Sequence, residues 1–500
     1  MPRPFASPLR AAPCSGLGLG VAFVLGACAP VETDREAWLR HTLVLDNQDL
    51  LEREPALTAG KFAKMSESPF AFLRGSAGQF ARDVFEPGGA GLHRWAFVES
   101  GPDDVALVGD AHPENVGTFR RGSGELTVDF DDFDAATYGP FEFDVRRLAL
   151  GLWIACEQAR ALLEDQAEDA SVLRSCGAVT TAVPRGYADE VAAIAVDPTA
   201  AIIVREDAPP GVILADLLAE AREDGDAGKS LAEYTRIEDD ARTPFVGDVA
   251  PARLVAEGPH AQLVYEDSVR AVDAPTLARL RRLIAASAAT RVDDRLDAGA
   301  VLGATVRLGA GVSSYPLARW YVLVDGPTAA VDDDVLLEVK ELRDAVVLPG
   351  ARRPIDAPFD GNGPRVVGLQ RELQGFVDDD PWLAFGDEGA VDFRIRERTG
   401  YQRGFAVDDL APALAEGIWT PEDVVGFATI CGRILARSHA RARRSNGTIA
   451  AAAIAEAVTD GTLLVETITA FVLDYGPTVL DDHARLVELL AMHGPTLGYR

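Results

Sequence analysis

Lysine is nearly missing from this chain of 500 residues: of 48 basic residues only Lys61, Lys64, Lys229 and Lys340 are lysines, and the rest are arginine. That scarcity makes Lys340 conspicuous, because it closes the apolar run Val335-Leu336-Leu337-Glu338-Val339, where a surface charge is not needed. Basic charge of either kind is also short. With 78 acids the formal net charge is -30, which argues against nucleic-acid binding, since neutralising phosphates needs clustered Lys and Arg. An anionic membrane surface is disfavoured for the same reason, and the acidity reads as a solvated, soluble surface. The five cysteines form no Cys-x-x-Cys pair and no other zinc spacing. His41, His93, His260, His483 and His493 are scattered.

What is present is a globular composition, 48% hydrophobic with ordinary charge content, and a length that suits two or three units of usual domain size. The N-terminus reads as a targeting segment over residues 1-28. Arg3 and Arg10 give a positive region, Leu17 to Leu25 is a short apolar run, and Leu25-Gly26-Ala27-Cys28 resembles a bacterial lipobox. About ten apolar residues are too few to span a bilayer, which takes roughly twenty. Lipidation at Cys28 would make the protein an exported lipoprotein, anchored only through its acyl chains and facing the periplasm or the cell exterior. No later stretch reads as transmembrane. Cys156 and Cys176 are close enough to close a loop in an oxidising periplasm, but Cys156 sits in an apolar helical run and is read as a buried small residue.

Two apolar runs, Val105 to Val108 and Leu126 to Val128, end abruptly in acids, His112 and Asn115, groups that burial disfavours unless they are paired or liganded. Asp110 and Asn115 lie five apart. That Asp-x-x-x-x-Asn spacing is the one by which a kinase-type catalytic loop offers a carboxylate to a substrate hydroxyl and an amide oxygen to magnesium. After a turn at Arg120 to Gly124 the next run delivers Asp129, Asp131, Asp132 and Asp134, hard oxygens suited to magnesium or manganese. Asp144 stands near the start of an amphipathic helix, where a carboxylate caps free N–H groups.

Strand signals return at Val301. Gly303 to Leu308 alternates, Gly309 to Pro316 is a small-residue loop, Leu317 to Val324 is a second strand, and Val335 to Lys340 a third. Strand, glycine loop, strand, turn and strand ending in lysine is a layout that sets backbone N–H groups and a lysine around nucleotide phosphates. Gly309, Gly311, Ser313, Ser314 and Lys340 are the nucleotide-binding candidates. Either Glu341 or Glu372 is a candidate partner for Lys340. Arg74 is a candidate loop anchor or phosphate contact but reads first as a salt-bridged structural arginine, and Val366 to Gln374 reads as a continuation of the sheet or a linker. Thr420-Pro421-Glu422-Asp423 is a helix start, and His439, near that helix's end, is assigned to the helix dipole or a local hydrogen bond.

Gly-Asp-Ala-His-Pro-Glu-Asn at 109-115, followed by Asp132-Phe-Asp-Ala, Gly139-Pro140 and Asp144, resembles the catalytic core of aminoglycoside phosphotransferases and other kinase-like enzymes. More closely, the chain is similar to an uncharacterised bacterial family, domain of unknown function 2252. That family's phrases recur as Ser68-Pro-Phe-Ala-Phe-Leu-Arg-Gly75, the Asp110 loop, the Asp132 run, Lys340-Glu341 and Ala436-Arg-Ser-His-Ala-Arg441. Ser313 and Pro316 stand where glycines are usual in the related kinase loops. The resemblance implies an α+β, kinase-like, two-lobed fold with extra helices. It would be circularly permuted, because the glycine loop and lysine follow the catalytic loop by about two hundred residues instead of preceding it. The expected division is a tether at 29-58, a catalytic-loop region at 59-200, a helical region at 201-295, a small β-rich nucleotide region at 296-385 and a C-terminal helical region at 386-500. It further implies ATP or another nucleotide with Mg or Mn, and phosphate transfer to an unknown hydroxyl acceptor. Asp110 would be the base, Asn115 and Asp132 the metal ligands with Asp129 or Asp134 as alternatives, and His112 and Asp144 structural neighbours. Two other readings stand beside it. One is a metal-dependent phosphoesterase, because Asp110-Ala111-His112 also matches the Asp-x-His opening of two-metal enzymes. The other is a non-catalytic binding lipoprotein on a kinase-like scaffold, since the periplasm is not expected to hold much ATP.

Overall fold

The computed structural model describes residues 33–85, 101–165, 176–225 and 231–499, less 233, 239–240, 245–252, 255–262, 265–267, 292–299, 327, 329, 331–332, 347, 349–358 and 376–379. The leader, Cys28 and the Pro87 to Gly91 turn lie outside these residues.

The chain forms a mixed α+β structure whose described residues have two main hydrophobic cores. The larger is helical and is built around four short strands, β1 (Val105–Leu107), β2 (Val116–Arg120), β3 (Leu126–Phe130) and β4 (Thr137–Gly139). β2 and β3 make an antiparallel hairpin across the Arg120–Gly124 turn, and β4 returns antiparallel beside β1. Both acid-rich loops, one after β1 and one after β3, are therefore held at strand ends in the same body. Helices Glu142–Asp165, Cys176–Val196, Pro421–Arg441 and Gly461–His493 pack around them. Thr420 and Asp423 form a reciprocal capping box at the start of the third of these helices. It ends at Arg441.

Residues 34–58, expected to be largely tether, fold as helices whose Leu39, Leu43, Leu50, Leu51 and Leu57 are buried. Gly461–His493 is long and apolar enough by length and composition to cross a membrane. It is nevertheless tied into the helical body, with Ile468, Phe471, Val472 and Leu486 buried and Tyr475 donating to Asp83 at 2.8 Å.

The smaller core belongs to an antiparallel sheet of six strands in the order β13-β14-β12-β11-β10-β9. Its members are β9 (Ser268–Ala271), β10 (Val301–Leu308), β11 (Arg319–Val324), β12 (Val335–Glu341), β13 (Ala384–Glu388) and β14 (Val391–Glu397). Two short hairpins precede it, β5 (Thr235–Glu238) with β6 (Ala241–Pro244) and β7 (Arg253–Leu254) with β8 (Leu263–Val264). Strands thus occur within 201–295, and the sheet runs on to Glu397, past the expected boundary at 385. Successive residues of a strand face opposite sides. One face, with Trp320, Val322, Leu337, Val339, Phe393 and Ile395, packs on Leu280, Leu283 and Ile284 of helix Ala274–Ser287. The other carries Arg319, Glu338, Lys340, Arg394 and Arg396. Val366 to Leu373, read from sequence as strand or linker, is instead part of helix Asn362–Leu373. Burial at Val366, Val367, Leu369, Gln370 and Leu373 follows a helical period, and Asp392 accepts the backbone N–H of Asn362 and of Gly363 at the helix start.

Cys156 and Cys176 form a disulfide between the helices Glu142–Asp165 and Cys176–Val196. The assignment of Cys156 as a merely buried thiol is corrected: the two helices bring the cysteines to a Cα separation of 5.7 Å, within bonding range. The two residues are 20 apart, and closing a loop of that size contributes roughly 3 kcal/mol by restricting the unfolded chain. A Cys156→Ser/Cys176→Ser protein is expected to unfold at lower denaturant with about that loss, measured by urea titration. An unchanged midpoint would mean that the bond carries no stability.

Candidate active site

The Asp110 loop owes its position to a carboxylate on the far side of β4. Asp144, in the first turn of helix Glu142–Asp165, does not cap its own helix. Its Oδ2 accepts from the backbone N–H of Val108 at 2.7 Å and its Oδ1 from Gly109 at 3.0 Å, which fixes the exit of β1. His439 completes that anchor. Its Nε2 lies 3.1 Å from Asp144 Oδ2 and its Nδ1 3.0 Å from the Tyr187 hydroxyl, all fully buried. The dipole role assigned to His439 from sequence is therefore replaced by a contact 295 residues away.

Gly109 has φ +83°, and a Cβ there would sit 2.0 Å from the carbonyl oxygen of Ala135. Only glycine lets the Asp110 loop press against the turn that follows β3. The two acid-rich loops are therefore in backbone contact. Asn115 donates its Nδ2 to the carbonyl of Asp110 at 2.9 Å, leaving its Oδ1 for another partner. Its own carbonyl accepts from Asp131 N at 2.9 Å.

Asp110 is gripped by Arg147, which is fully buried one helical turn after Asp144: guanidinium to Oδ1 is 2.5 Å. Burial pushes the Asp110 carboxyl above its ordinary value, against the charge and hydrogen bond of Arg147 and the charge of Arg74, while Asp132 adds to the rise. Asp110 and Asp132 therefore feel each other. His112 is buried edge-on to Phe70 with Nδ1 lacking a hydrogen-bond partner. Burial, with the charges of Arg74 and Arg147, holds it well below the usual histidine range, so it is neutral.

The lysine from the sheet arrives at the second loop. Lys340 Nζ lies 3.2 Å from Asp132 Oδ2 and also pairs with Asp134. Neither carboxylate proposed from sequence does this. Glu341 turns to Arg53 at 2.5 Å, and Glu372 accepts from the N–H of Arg443 at 2.8 Å. Although burial pushes it up, the charges of Lys340, Arg394 and Arg396 hold Asp132 well below the usual carboxylate range. Arg394 sits 3.3 Å from Asp134 and 3.6 Å from Asp132, and Arg396 donates to the Asp131 carbonyl at 3.2 Å. Arg365 holds the same turn through the Asp134 carbonyl at 3.1 Å.

Asp129 does not join this group. Its carboxylate is fully buried and taken up by Arg437 at 2.5 Å, by Gly375 N at 2.7 Å and by Phe130 N at 2.8 Å. It braces the β3 end, and its place among the metal ligands is withdrawn.

The small-residue loop after β10 bends back toward the helical body. Gly309 and Gly311 have φ of +73° and +78°, which only glycine adopts without strain. Val312 is buried in the helical core, and Ser313 Oγ donates to the Arg74 carbonyl at 2.5 Å. Ser314 Oγ turns inward to the Ala310 carbonyl at 3.2 Å. Arg74 pairs with Glu114 at 2.5 Å, as a structural arginine would. The loop thus lands on a residue whose charge reaches Asp110.

Sequence reasoning missed Arg147, Arg394, Arg396 and Lys61. The signal for Arg394 and Arg396 was the alternation Phe393-Arg394-Ile395-Arg396, one apolar and one cationic face. Lys61 is buried and donates to Asn47 Oδ1 at 2.7 Å; burial, with the charge of Arg343, brings its amine down to about 7, and the charge of Asp110 is among those opposing this. A separate cavity of about 450 Å³ lies between helix Val212–Asp224 and residues 404–419, walled by Phe405, Trp419 and Glu220. None of Asp110, Asn115, Asp132 or Lys340 lines it.

Three carboxyls behind the cleft give it a pH signature. Burial pushes Asp131 and Asp380 up to about 6 and Glu397 up to about 7. Their folded values exceed the unfolded ones, near 4, so the stability they confer is present below that value and is lost as pH rises through 6 to 7. Asp132 and Glu338, held low, do not titrate in that window. The melting temperature of Glu397→Gln relative to wild type is expected to rise between about pH 4 and 7, as wild type loses this contribution, and to level off above pH 7. A variant with the wild-type slope would show that these carboxyls are not protonated in the folded chain.

No curated protein and no solved structure matches the chain. Residues 53–489 match the family model described as an uncharacterized protein conserved in bacteria. The match covers most of the 500 residues and includes every group placed around the cleft, so the chain belongs to that bacterial family, domain of unknown function 2252.

Proposed function

We propose that the protein is a kinase-like phosphotransferase of permuted chain order, taking a nucleotide with Mg and passing a phosphate to a hydroxyl acceptor. The observation that carries this is the meeting of Lys340 with Asp132 across 208 residues of sequence, beside the Asp110–Asn115 loop. A lysine on a sheet, an Asp on the loop after a hairpin and an Asp-x-x-x-x-Asn loop are the groups that phosphoryl transfer needs for positioning and charge. The two-lobed reading follows: the six-stranded sheet with the Gly309 loop stands as the nucleotide lobe and the helical body as the catalytic one.

The residues fit a magnesium ion that arrives with its nucleotide. No group of three or more His, Cys, Asp or Glu side chains among the described residues is arranged as a metal site, and magnesium bound through one or two carboxylates plus phosphate oxygens and water does not require one. Asp134 Oδ1 is buried without a hydrogen-bond partner. Asn115 through Oδ1, Asp132 and Asp134 would hold the ion, which supplies neutralisation of charge on the phosphates when bound. In the transfer the acceptor oxygen attacks the terminal phosphorus and the bond to the bridging oxygen breaks. Asp110, whose carboxyl burial raises above its ordinary value, accepts the hydroxyl proton. Arg147 positions that carboxylate, and Arg74 with the Gly309–Ser314 loop closes the cleft beside it.

Export as a lipoprotein through Cys28 remains part of the proposal. The Cys156–Cys176 disulfide supports it, because such bonds persist in oxidising compartments. The tight Arg147–Asp110 pair favours one second reading, a nucleotide-binding lipoprotein without turnover, since a carboxylate so held is a poorer base.

Two measurements on the mature chain separate these. Millimolar ATP with magnesium is expected to raise the melting temperature; a ligand at 100 times its Kd stabilises by about 2.7 kcal/mol. Phosphate release or transfer from ATP is expected to drop by on the order of 10² to 10⁴ in Asp110→Asn. Binding without turnover in either protein would select the second reading, and absence of any shift would remove both.

A further inference from the structure

Across three neighbouring strands the sheet places three cations in one row. Arg319 on β11 lies directly opposite Lys340 on β12, and Lys340 directly opposite Arg394 on β14. Like charges opposed across strands destabilise a sheet, so the row needs a reason to persist. Strands about 4.8 Å apart make it roughly 10 Å long, the reach of a short phosphate chain.

Compensation by the protein itself is close at Lys340, which pairs with Asp132 and Asp134, and loose at the two arginines. Arg394 is 1% exposed, yet its Nε and Nη1 have no hydrogen-bond partner. Its nearest carboxylates, Asp134, Glu338 and Asp132, stand at 3.3, 3.5 and 3.6 Å. Arg319 is 3.7 Å from Glu338. Charge-assisted bonds close to about 2.7–2.9 Å when made, and a buried guanidinium with idle donors is costly. Arg offers a planar fork that fits phosphate oxygens, unlike the point charge of Lys.

We propose that Arg319, Lys340 and Arg394 form a rail for a linear polyphosphate, so that the cleft recognises the phosphate chain more than the nucleoside attached to it. The inference deepens the phosphotransferase reading and rests on it for the nucleotide. Bound phosphates take over the cations, and Asp132 and Asp134 are then free to face the metal. The rail also supplements the Gly309–Pro316 loop, where Pro316 has no backbone N–H to offer a phosphate.

The test is calorimetric titration of the folded mature chain with ATP, inorganic tripolyphosphate and AMP, each with magnesium. It uses wild type, Arg394→Met, Arg394→Lys and Arg319→Met, with circular dichroism as the folding check. Tripolyphosphate and ATP are expected to bind within tenfold of each other and AMP at least tenfold more weakly. Arg394→Met and Arg319→Met should each weaken both by tenfold or more, with Arg394→Lys restoring part. Arg319, being partly exposed, serves alone if Arg394→Met does not fold. Wild-type ATP affinity in the folded Met variants, or no tripolyphosphate binding beside tight ATP binding, overturns the rail and leaves the phosphotransferase standing. Arg-dependent tripolyphosphate binding without ATP binding or turnover keeps the rail and removes the phosphotransferase. Failure of every ligand in folded wild type removes both.

Discussion

The ion pairs of Lys340 with Asp132 and Asp134 are the constraint on which the arrangement turns. They join the six-stranded sheet to the helical body where both carry concentrated charge. Each side alone would be expensive: a buried lysine beside two arginines, and three aspartates in a single turn. Paired, Lys340 and the two aspartates find opposites, and Asp132 stays ionised in spite of its burial. The cleft is thus a region of high charge density, and in the proposed function an arriving metal–phosphate complex would exchange with it charge for charge.

Behind this junction lies a relay of buried polar contacts that is purely positional. Tyr187, His439 and Asp144 run from three separate helices to the backbone of Val108 and Gly109, and Gly109 in turn fits against Ala135. Asp110 and the Asp132 turn are consequently set by one framework. Arg147 leaves the same helix turn as Asp144 and locks the Asp110 carboxylate. A site built on strand ends and helix starts is stiffer than one built on free loops, and the proposed transfer would need such in-line placement.

Much of this was legible in the chain because the signals were local. The Asp110–Asn115 spacing, the hairpin to Asp132 and the strand ending in Lys340 each lie within a single short stretch of at most 17 residues, and Lys340 was marked by the scarcity of lysine. What escaped was long-range or two-sided. His439 was assigned to its own helix because nothing near it in sequence announces Asp144. Asp129 looked like its neighbours Asp131 and Asp132, but strand alternation turns it to Arg437. Val366 to Leu373 was taken for strand or linker because its apolar residues are too few to fix a period without knowing which are buried. The partner of Lys340 was sought among nearby glutamates, whereas tertiary packing supplied aspartates two hundred residues earlier.

The scarcity of lysine also offers the most direct test of the central claim, that the Asp132 turn and Lys340 share one nucleotide cleft. An ATP acyl phosphate delivers its acyl group to an amine lying beside the bound phosphates: the amine nitrogen bonds to the carbonyl carbon, and ATP leaves. Mass spectrometry of the labelled protein then has only four lysines to distinguish. The account predicts acylation at Lys340, lost when excess ATP with magnesium is added and lost in Asp132→Arg, which fills the cleft with a further cation. Labelling spread over Lys61, Lys64 and Lys229 with Lys340 untouched, or labelling of Lys340 indifferent to ATP, would contradict it.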